Sequence, residues 1–316
     1  MFFEGSEKKF ELIVKPGGPS FFDWSTKEWA KVVEMSQAQI LSELSNERVR
    51  AYLLSESSLF VWKHHITMIT CGQTRLMNAL EYVLSKLDPD SVEAVIYERK
   101  NEYFPHRQST DFYQDSKRLK ALVGGQAFRF GHADTHHLFL FDMGKSYHPE
   151  PSDTTLEVLM YGLRDHAYEL FANAATGREA IRRNTGIADL LPGFLIDDYV
   201  FSPCGYSLNA INGDQYFTIH VTPQEDSPYV SFETNVTKGD SYAPLVRRVV
   251  EVFQPQAFDV VEFIPKNNKP MTEPMTIRGY HNKSFVQQNL SSGYNVSFCH
   301  FDQPGFVSTK AVSLEI

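Results

Sequence analysis

The sequence predicts an α+β fold of antiparallel sheets with helices on one face. Three observations carry this. Short apolar segments with strand periodicity outnumber helical ones. Residues 49–98 and 205–264 share one order: strands, then a helix, then a strand. The glycine-rich phosphate loop of nucleotide-binding α/β folds is absent. The side chains of the two stretches do not visibly repeat, so a duplication is read from element order alone.

The elements follow in order. Lys9 to Lys15 alternates, with Phe10, Leu12 and Val14 on one face and Glu11 and Ile13 on the other, which is a strand. Pro16-Gly17-Gly18-Pro19 ends it. Ser25 to Glu28 resembles a capping box opening a short helix that turns Trp29, Val32 and Val33 inward. Strands are expected around Ile40, around Tyr52 and from Ile66 to Thr70. Met77, Leu80, Val83, Leu84 and Leu87 fall at helical spacing within Thr74 to Leu87. Val92 to Glu98 is a strand, Asp115 to Leu122 a helix, and Ala127 to Phe130 and His137 to Met143 are strands. Tyr147 to Ser152, with two prolines, is the best boundary between regions of similar size. Beyond it, Thr155 to Met160 is a strand and Asp165 to Arg183 holds one or two helices. Val200 to Ile211, Tyr216 to Val221 and Tyr229 to Val236 read as three strands. A helix from Tyr242 to Phe253 is stopped by Pro255, and strands close the chain at Phe258–Ile264, His281–Val286 and Tyr294–Phe301.

With 316 residues, the chain suffices for one large domain or two ordinary ones. Its 42% hydrophobic and 22% charged content is that of a soluble globular protein. A net charge of -9 argues against nucleic acid and suits a cationic substrate better. Cys71, Cys204 and Cys299 are too widely spaced for a zinc site or a disulfide framework, which fits a reducing compartment. Met1 to Gly5 lacks the basic and apolar regions of a signal peptide, and no apolar run is long enough for a bilayer. A cytoplasmic location, with no membrane partner, is the expectation.

One stretch stands out. A strand-like run from Arg50 to Leu54 stops at Ser55-Glu56-Ser57-Ser58 and resumes as Leu59-Phe60-Val61-Trp62. A hydroxyl just after a carboxylate, in a tight turn between two strands, could attack its own peptide bond. An ordinary hairpin turn has the same composition. A second stretch bears on the choice: Phe201-Ser202-Pro203-Cys204-Gly205-Tyr206-Ser207, followed by Thr218-Ile219-His220-Val221-Thr222-Pro223.

These two stretches, with Phe2 to Lys8, Thr70-Cys71-Gly72, Tyr103 to Arg107 and Tyr229 to Thr234, resemble the motifs of eukaryotic-type S-adenosylmethionine decarboxylase. They occur in the family's order from residue 2 to about 264. The resemblance implies a four-layer αββα sandwich of two related halves, roughly 1–150 and 151–316, in one domain. It implies a proenzyme that cuts itself between Glu56 and Ser57, giving chains 1–56 and 57–316 that stay associated, in some members as a dimer of such pairs. Ser57 would become a pyruvoyl group, a covalent cofactor that forms a Schiff base with the substrate amine and acts as electron sink. The substrate would be S-adenosylmethionine, and the product the aminopropyl donor for spermidine and spermine.

The resemblance also assigns roles. His220 would be the base that removes the Ser57 α-proton, with Ser207 hydrogen-bonded nearby. Cys71 would protonate the substrate carbon, since a thiol of pKa ~8.5 is largely protonated at neutral pH. Phe3 and Phe201 match the aromatics that sandwich the adenine, and Leu54 a position whose backbone meets the adenine edge. Glu4 and Glu7 match carboxylates near the reaction centre. Glu11, Asp153, Glu157 and Glu233 match the acidic site where putrescine activates many animal and fungal members.

Two departures matter. The family's ribose-binding glutamate after Thr-Pro is here Gln224, followed by Glu225. A neutral amide loses a charge-assisted hydrogen bond, so Gln224 serves more weakly, Glu225 replaces it, or the substrate lacks ribose. The basic residue that links the acidic site to the reaction centre in animal relatives is here Ile69, which predicts altered or absent putrescine stimulation. Two rival functions follow: a pyruvoyl decarboxylase of ornithine or arginine, and a non-catalytic paralogue that activates a partner.

Overall fold

Strand alternation sorts the side chains of β1 (Lys8–Val14) between two environments. Phe10, Leu12 and Val14 join one apolar core with helices, while Lys9 and Glu11 point the other way, into a polar gap. The same division holds throughout the computed structural model, which describes residues 4–305 except 164, 174, 226, 238 and 240.

The first half adds α1 (Thr26–Met35), β2 (Ile40–Ser45), β3 (Arg50–Leu54), β4 (Ser57–Val61), β5 (His65–Thr70), α2 (Leu76–Leu84), β6 (Val92–Lys100), α3 (Phe112–Val123), β7 (Gln126–Gly131) and β8 (His137–Asp142). The second adds β9 (Thr155–Tyr161), α4 (Asp165–Ala172), α5 (Arg178–Thr185), β10 (Leu195–Val200), β11 (Tyr206–Asn212), β12 (Gln215–Thr222), β13 (Tyr229–Thr234), α6 (Ala243–Phe253), β14 (Ala257–Pro265), β15 (His281–Asn289) and β16 (Tyr294–Asp302). The first sheet has the order β2-β3-β4-β5-β1-β6-β8-β7, and the second β10-β11-β12-β13-β9-β14-β16-β15. Adding eight to each strand of the first gives the second, so the halves share one topology, and the described pairs are antiparallel. In each sheet the first strand of the half lies in the interior, with β1 between β5 and β6.

Each sheet buries its outer face under its own helices. Trp29, Leu80 and Leu119 cover the first, and Phe171, Ile181, Val246 and Phe253 the second. The inner faces meet each other, so the layers run α, β, β, α. At one end of the gap Leu138 and Leu140 pack on Val261 and Phe298. At the other end Phe60 packs on Tyr216 and Ile211. Between these apolar seals the inner positions are polar, an arrangement that needs internal hydrogen bonds or ion pairs to be tolerated.

Several elements differ from expectation. The run Val200 to Ile211 is not one strand: Pro203 supplies no amide hydrogen and Gly205 has φ +117°, and the chain reverses at 201–205 so that β10 and β11 pair with each other as a hairpin. Helix α3 starts at Phe112, because Asp111 and Gln114 form a capping box ahead of the apolar pattern. The box at Ser25 and Glu28 opens α1 as expected. Asp165 to Arg183 forms two helices. Among the described residues no helix is long and apolar enough to cross a membrane.

Candidate active site

Only Ser55 and Glu56 separate β3 from β4, and Leu54 pairs with Ser57 across the turn. So tight a connection strains the backbone, and here the strain falls on Ser57, whose φ is +134°. A non-glycine residue there costs about 1–3 kcal/mol, which the surrounding structure must impose. The Ser57 hydroxyl is buried without a hydrogen-bond partner, as is one carboxylate oxygen of Glu56. The Glu56 carbonyl, in contrast, is doubly engaged. Cys71, just beyond β5, donates its backbone N–H at 2.9 Å and its thiol at 3.3 Å. Burial pushes the Cys71 thiol well above its ordinary pKa, and Glu56 and Glu7 add to the effect. Burial likewise raises Glu56 to about 7, against the pull of Lys8.

The sheets bring distant residues to this turn. Ser207 on β11 and His220 on β12 are cross-strand partners with both side chains in the gap. The Ser207 Oγ lies 2.9 Å from His220 Nδ1. On the other ring nitrogen, Nε2, Thr218 Oγ1 lies at 2.9 Å and Ser58 Oγ at 3.3 Å. Burial lowers His220 to about 3, so its imidazole is neutral. Ser57, Cys71, Ser207 and His220 share a cavity of about 390 Å3 with Phe201 and Gln224. The 201–205 segment forms one wall, where Phe201 packs edge-on against Tyr199 at 4.9 Å.

Leu54 ends β3 with its side chain in the helix-covered core. Gln224 lines the cavity, whereas Glu225 is exposed. Phe3 lies outside the described residues. Glu4 is buried and committed to the backbone, accepting from Ser6 N at 3.2 Å and Phe104 N at 2.9 Å. Its own carbonyl accepts from Gly72, next to Cys71, at 2.8 Å. Glu7 accepts from Ser231 at 2.7 Å and Tyr229 at 3.4 Å, and burial raises it to about 8. Lys8 donates to the Gly72 carbonyl at 2.9 Å and is lowered to about 8, chiefly by burial.

Glu11, Glu157 and Glu233 converge deeper in the gap around a side chain not singled out from the sequence. The Lys9 ammonium lies 2.5 Å from Glu157, 3.0 Å from Glu11, 3.2 Å from Glu233 and 3.5 Å from Glu98. Burial opposes the Lys9 charge, but the four carboxylates outweigh it and hold the amine protonated. Lys9 in turn brings Glu11 down to about 2 despite burial, while Glu233 stays near 7 and both oxygens of Glu98 lack hydrogen bonds. Asp153 stands apart, bound by Tyr294 at 2.6 Å. Ile69 is buried and pairs with Lys9 across β5 and β1. Lys9 was legible in one respect: it sits two residues from Glu11, on the same strand face. Glu98 and Asn209 carried no local signal, and Thr218 was visible only as the first residue of the Thr218 to Pro223 stretch.

The neighbourhood of residue 57 can activate a backbone carbonyl and hold a neutral base and a protonated thiol around one cavity. Comparison with known proteins shows the family. A profile described as adenosylmethionine decarboxylase matches residues 1–302. The chain is 34% identical over 326 residues to an S-adenosylmethionine decarboxylase proenzyme of Xenopus laevis, covering 95% of each. It is 33% identical over 334 residues to one of Dictyostelium discoideum, covering 95% of this chain and 86% of that protein. The solved structure of the Trypanosoma brucei AdoMetDC-delta26 monomer matches with a TM-score of 0.62 at 28% identity, over 78% of this chain and 99% of that one. This chain therefore belongs to the adenosylmethionine decarboxylase family.

Proposed function

We propose that this chain, an S-adenosylmethionine decarboxylase proenzyme, makes its catalytic carbonyl by cutting its own backbone between Glu56 and Ser57. The grip of Cys71 on the Glu56 carbonyl carries this reading. Two donors on one carbonyl polarise it and stabilise the oxyanion that forms on attack. The neighbouring Ser57 hydroxyl is buried and uncommitted, and its strained backbone gains by leaving the present geometry. These features fit a residue that is to become a pyruvoyl group, which supplies an electron sink for loss of carbon dioxide.

The other residues hold substrate and protons. Cys71 keeps its proton on Sγ, available to the substrate carbon. His220 stays neutral and able to accept. Phe201 offers an aromatic face to the adenine and to the sulfonium, a cation with no hydrogen-bond donors. Gln224 meets the ribose with an amide, and Glu7 is close enough to feel both Cys71 and the acidic residues Glu157 and Glu233. In that cluster the Lys9 ammonium takes the place a diamine would need, so putrescine is not required as activator.

Intact mass spectrometry tests the proposal. The expected result is two chains, 1–56 and 57–316, with the larger blocked at its N-terminus and reactive with hydrazine. Carbon dioxide should be released from S-adenosylmethionine and not from ornithine or arginine. A single uncut chain that is nevertheless active would overturn the reading.

A further inference from the structure

We propose that Asn209 fixes the tautomer of His220, so that the basic lone pair lies on Nδ1, facing Ser207, and not on Nε2. This rests on the self-cutting reading above. Asn209 is fully buried on β11, two residues after Ser207 on the same face, and pairs in register with Thr218. Its side-chain oxygen accepts from Ser58 at 2.6 Å and from Thr218 at 2.9 Å. A hydroxyl has one hydrogen to give. With the Ser58 hydrogen directed to Asn209, and the Thr218 hydrogen to Asn209 or to the Leu208 carbonyl at 3.0 Å, both oxygens present only lone pairs to His220 Nε2. Nε2 must then carry the hydrogen. A neutral imidazole has only one such hydrogen, so Nδ1 is the acceptor, and the Ser207 hydroxyl donates to it at 2.9 Å. The Asn209 amide nitrogen is buried without a partner.

The consequence falls on the second stage of cutting. In the first, the Ser57 Oγ bonds to the Glu56 carbonyl carbon, the peptide C–N bond breaks, and the hydroxyl proton passes to the nitrogen. In the second, the Cα–H bond of residue 57 breaks and its electron pair forms a Cα=Cβ bond. The Cβ–Oγ bond breaks, releasing Glu56 as a carboxylate, and the proton goes to His220 Nδ1. The resulting enamine tautomerises, losing a proton from nitrogen and gaining one on Cβ, and water hydrolyses the imine so formed to the ketone and ammonia. Asn209 touches no reacting atom and is a positioning residue.

The test follows cutting of the full-length precursor in Asn209→Ala, Asn209→Asp and Thr218→Val. In the alanine variant the Ser58 hydroxyl loses its acceptor and turns its hydrogen onto Nε2, while Thr218 keeps the Leu208 carbonyl; the imidazole hydrogen moves to Nδ1, and elimination slows on the order of 10²-fold, the usual share of general-base catalysis. The ester then accumulates, and hydroxylamine splits it to give chain 57–316 beginning with serine. Aspartate has the same shape and only accepts, so it restores cutting. Its charge also raises the His220 pKa, moving the acid limb of the rate profile to higher pH. Valine at 218 removes the nearer acceptor of the Nε2 hydrogen but leaves Ser58 directed to Asn209, so it slows elimination less than alanine does. Native-rate elimination in the alanine or valine variant overturns the proposal. So does a folded aspartate variant that stalls like alanine. A native precursor that never forms an ester overturns the self-cutting reading instead.

Discussion

The Glu56 carbonyl oxygen accepts two hydrogen bonds from a single residue, Cys71: one from its backbone N–H at 2.9 Å and one from its thiol at 3.3 Å. The two arms separate in a mutant. Cys71→Ala keeps the N–H and loses the longer, weaker arm, so precursor cutting should slow by about tenfold, less than the ~10²-fold lost with a strong oxyanion donor, because a thiol is a weak one. Decarboxylation by whatever is cut should fall further, because the proposed proton source is gone. Cutting followed by gel and carbon dioxide release followed separately check this; equal losses in both would refute the division of roles.

Residue 57 needs a nucleophile on Cβ that can later leave. Ser57→Ala should remain a single chain, as read by intact mass. Ser57→Cys can attempt the acyl shift through sulfur, and Ser57→Thr should cut to a hindered ketone with little activity. An alanine variant that splits would remove Ser57 from the chemistry.

Lys9 predicts two outcomes. The native enzyme should respond weakly or not at all to a putrescine dose series. Lys9→Met leaves Glu11, Glu98, Glu157 and Glu233 without their cation, and stripping one partner from a buried ion pair costs about 3–5 kcal/mol. Added putrescine should recover part of the melting temperature and activity in that variant. Strong activation of the native enzyme would contradict the assignment.

Gln224 lines the cavity and Glu225 does not. Restoring a carboxylate with Gln224→Glu should lower KM for S-adenosylmethionine by about five- to tenfold, as expected for a charge-assisted bond replacing a neutral one. Glu225→Gln should leave KM unchanged. The reverse pattern would place the ribose contact at 225.

Stability should fall as pH rises from about 6.5 to 8. Burial raises Glu56 and Glu233 to about 7 and Glu7 to about 8, so the folded chain holds protons there that the unfolded chain has already lost. His136 and His220, lowered by burial to about 4 and 3, act in the opposite sense, but only below their unfolded value of 6.5. Melting temperatures across this window check the slope, and Glu7→Gln should flatten it. A rising curve would contradict these protonation states.

Much of this was readable in the chain because sheets write a period of two. Phe10, Leu12 and Val14 opposite Glu11 gave the faces of β1, and the shared order of 49–98 and 205–264 anticipated two sheets of one topology. The break at Pro203 and Gly205 was missed because apolar residues flank it on both sides. Asn209 and Glu98 were missed for another reason. Their partners, Ser58 across the gap and Lys9 on the neighbouring strand, are set by pairing between strands far apart in sequence. Composition near either residue does not encode that.

The interior place of β1 bears on what would follow the proposed cut. Residues 1–56 carry β1, β2 and β3, and β1 is laced on both sides to strands of the longer piece. Pulling the short piece free would mean unzipping the middle of a sheet, not peeling away its border. The broken backbone is therefore expected to behave as an inlay, locked in by its neighbours, so that a mature enzyme of two pieces dissociates only when it melts.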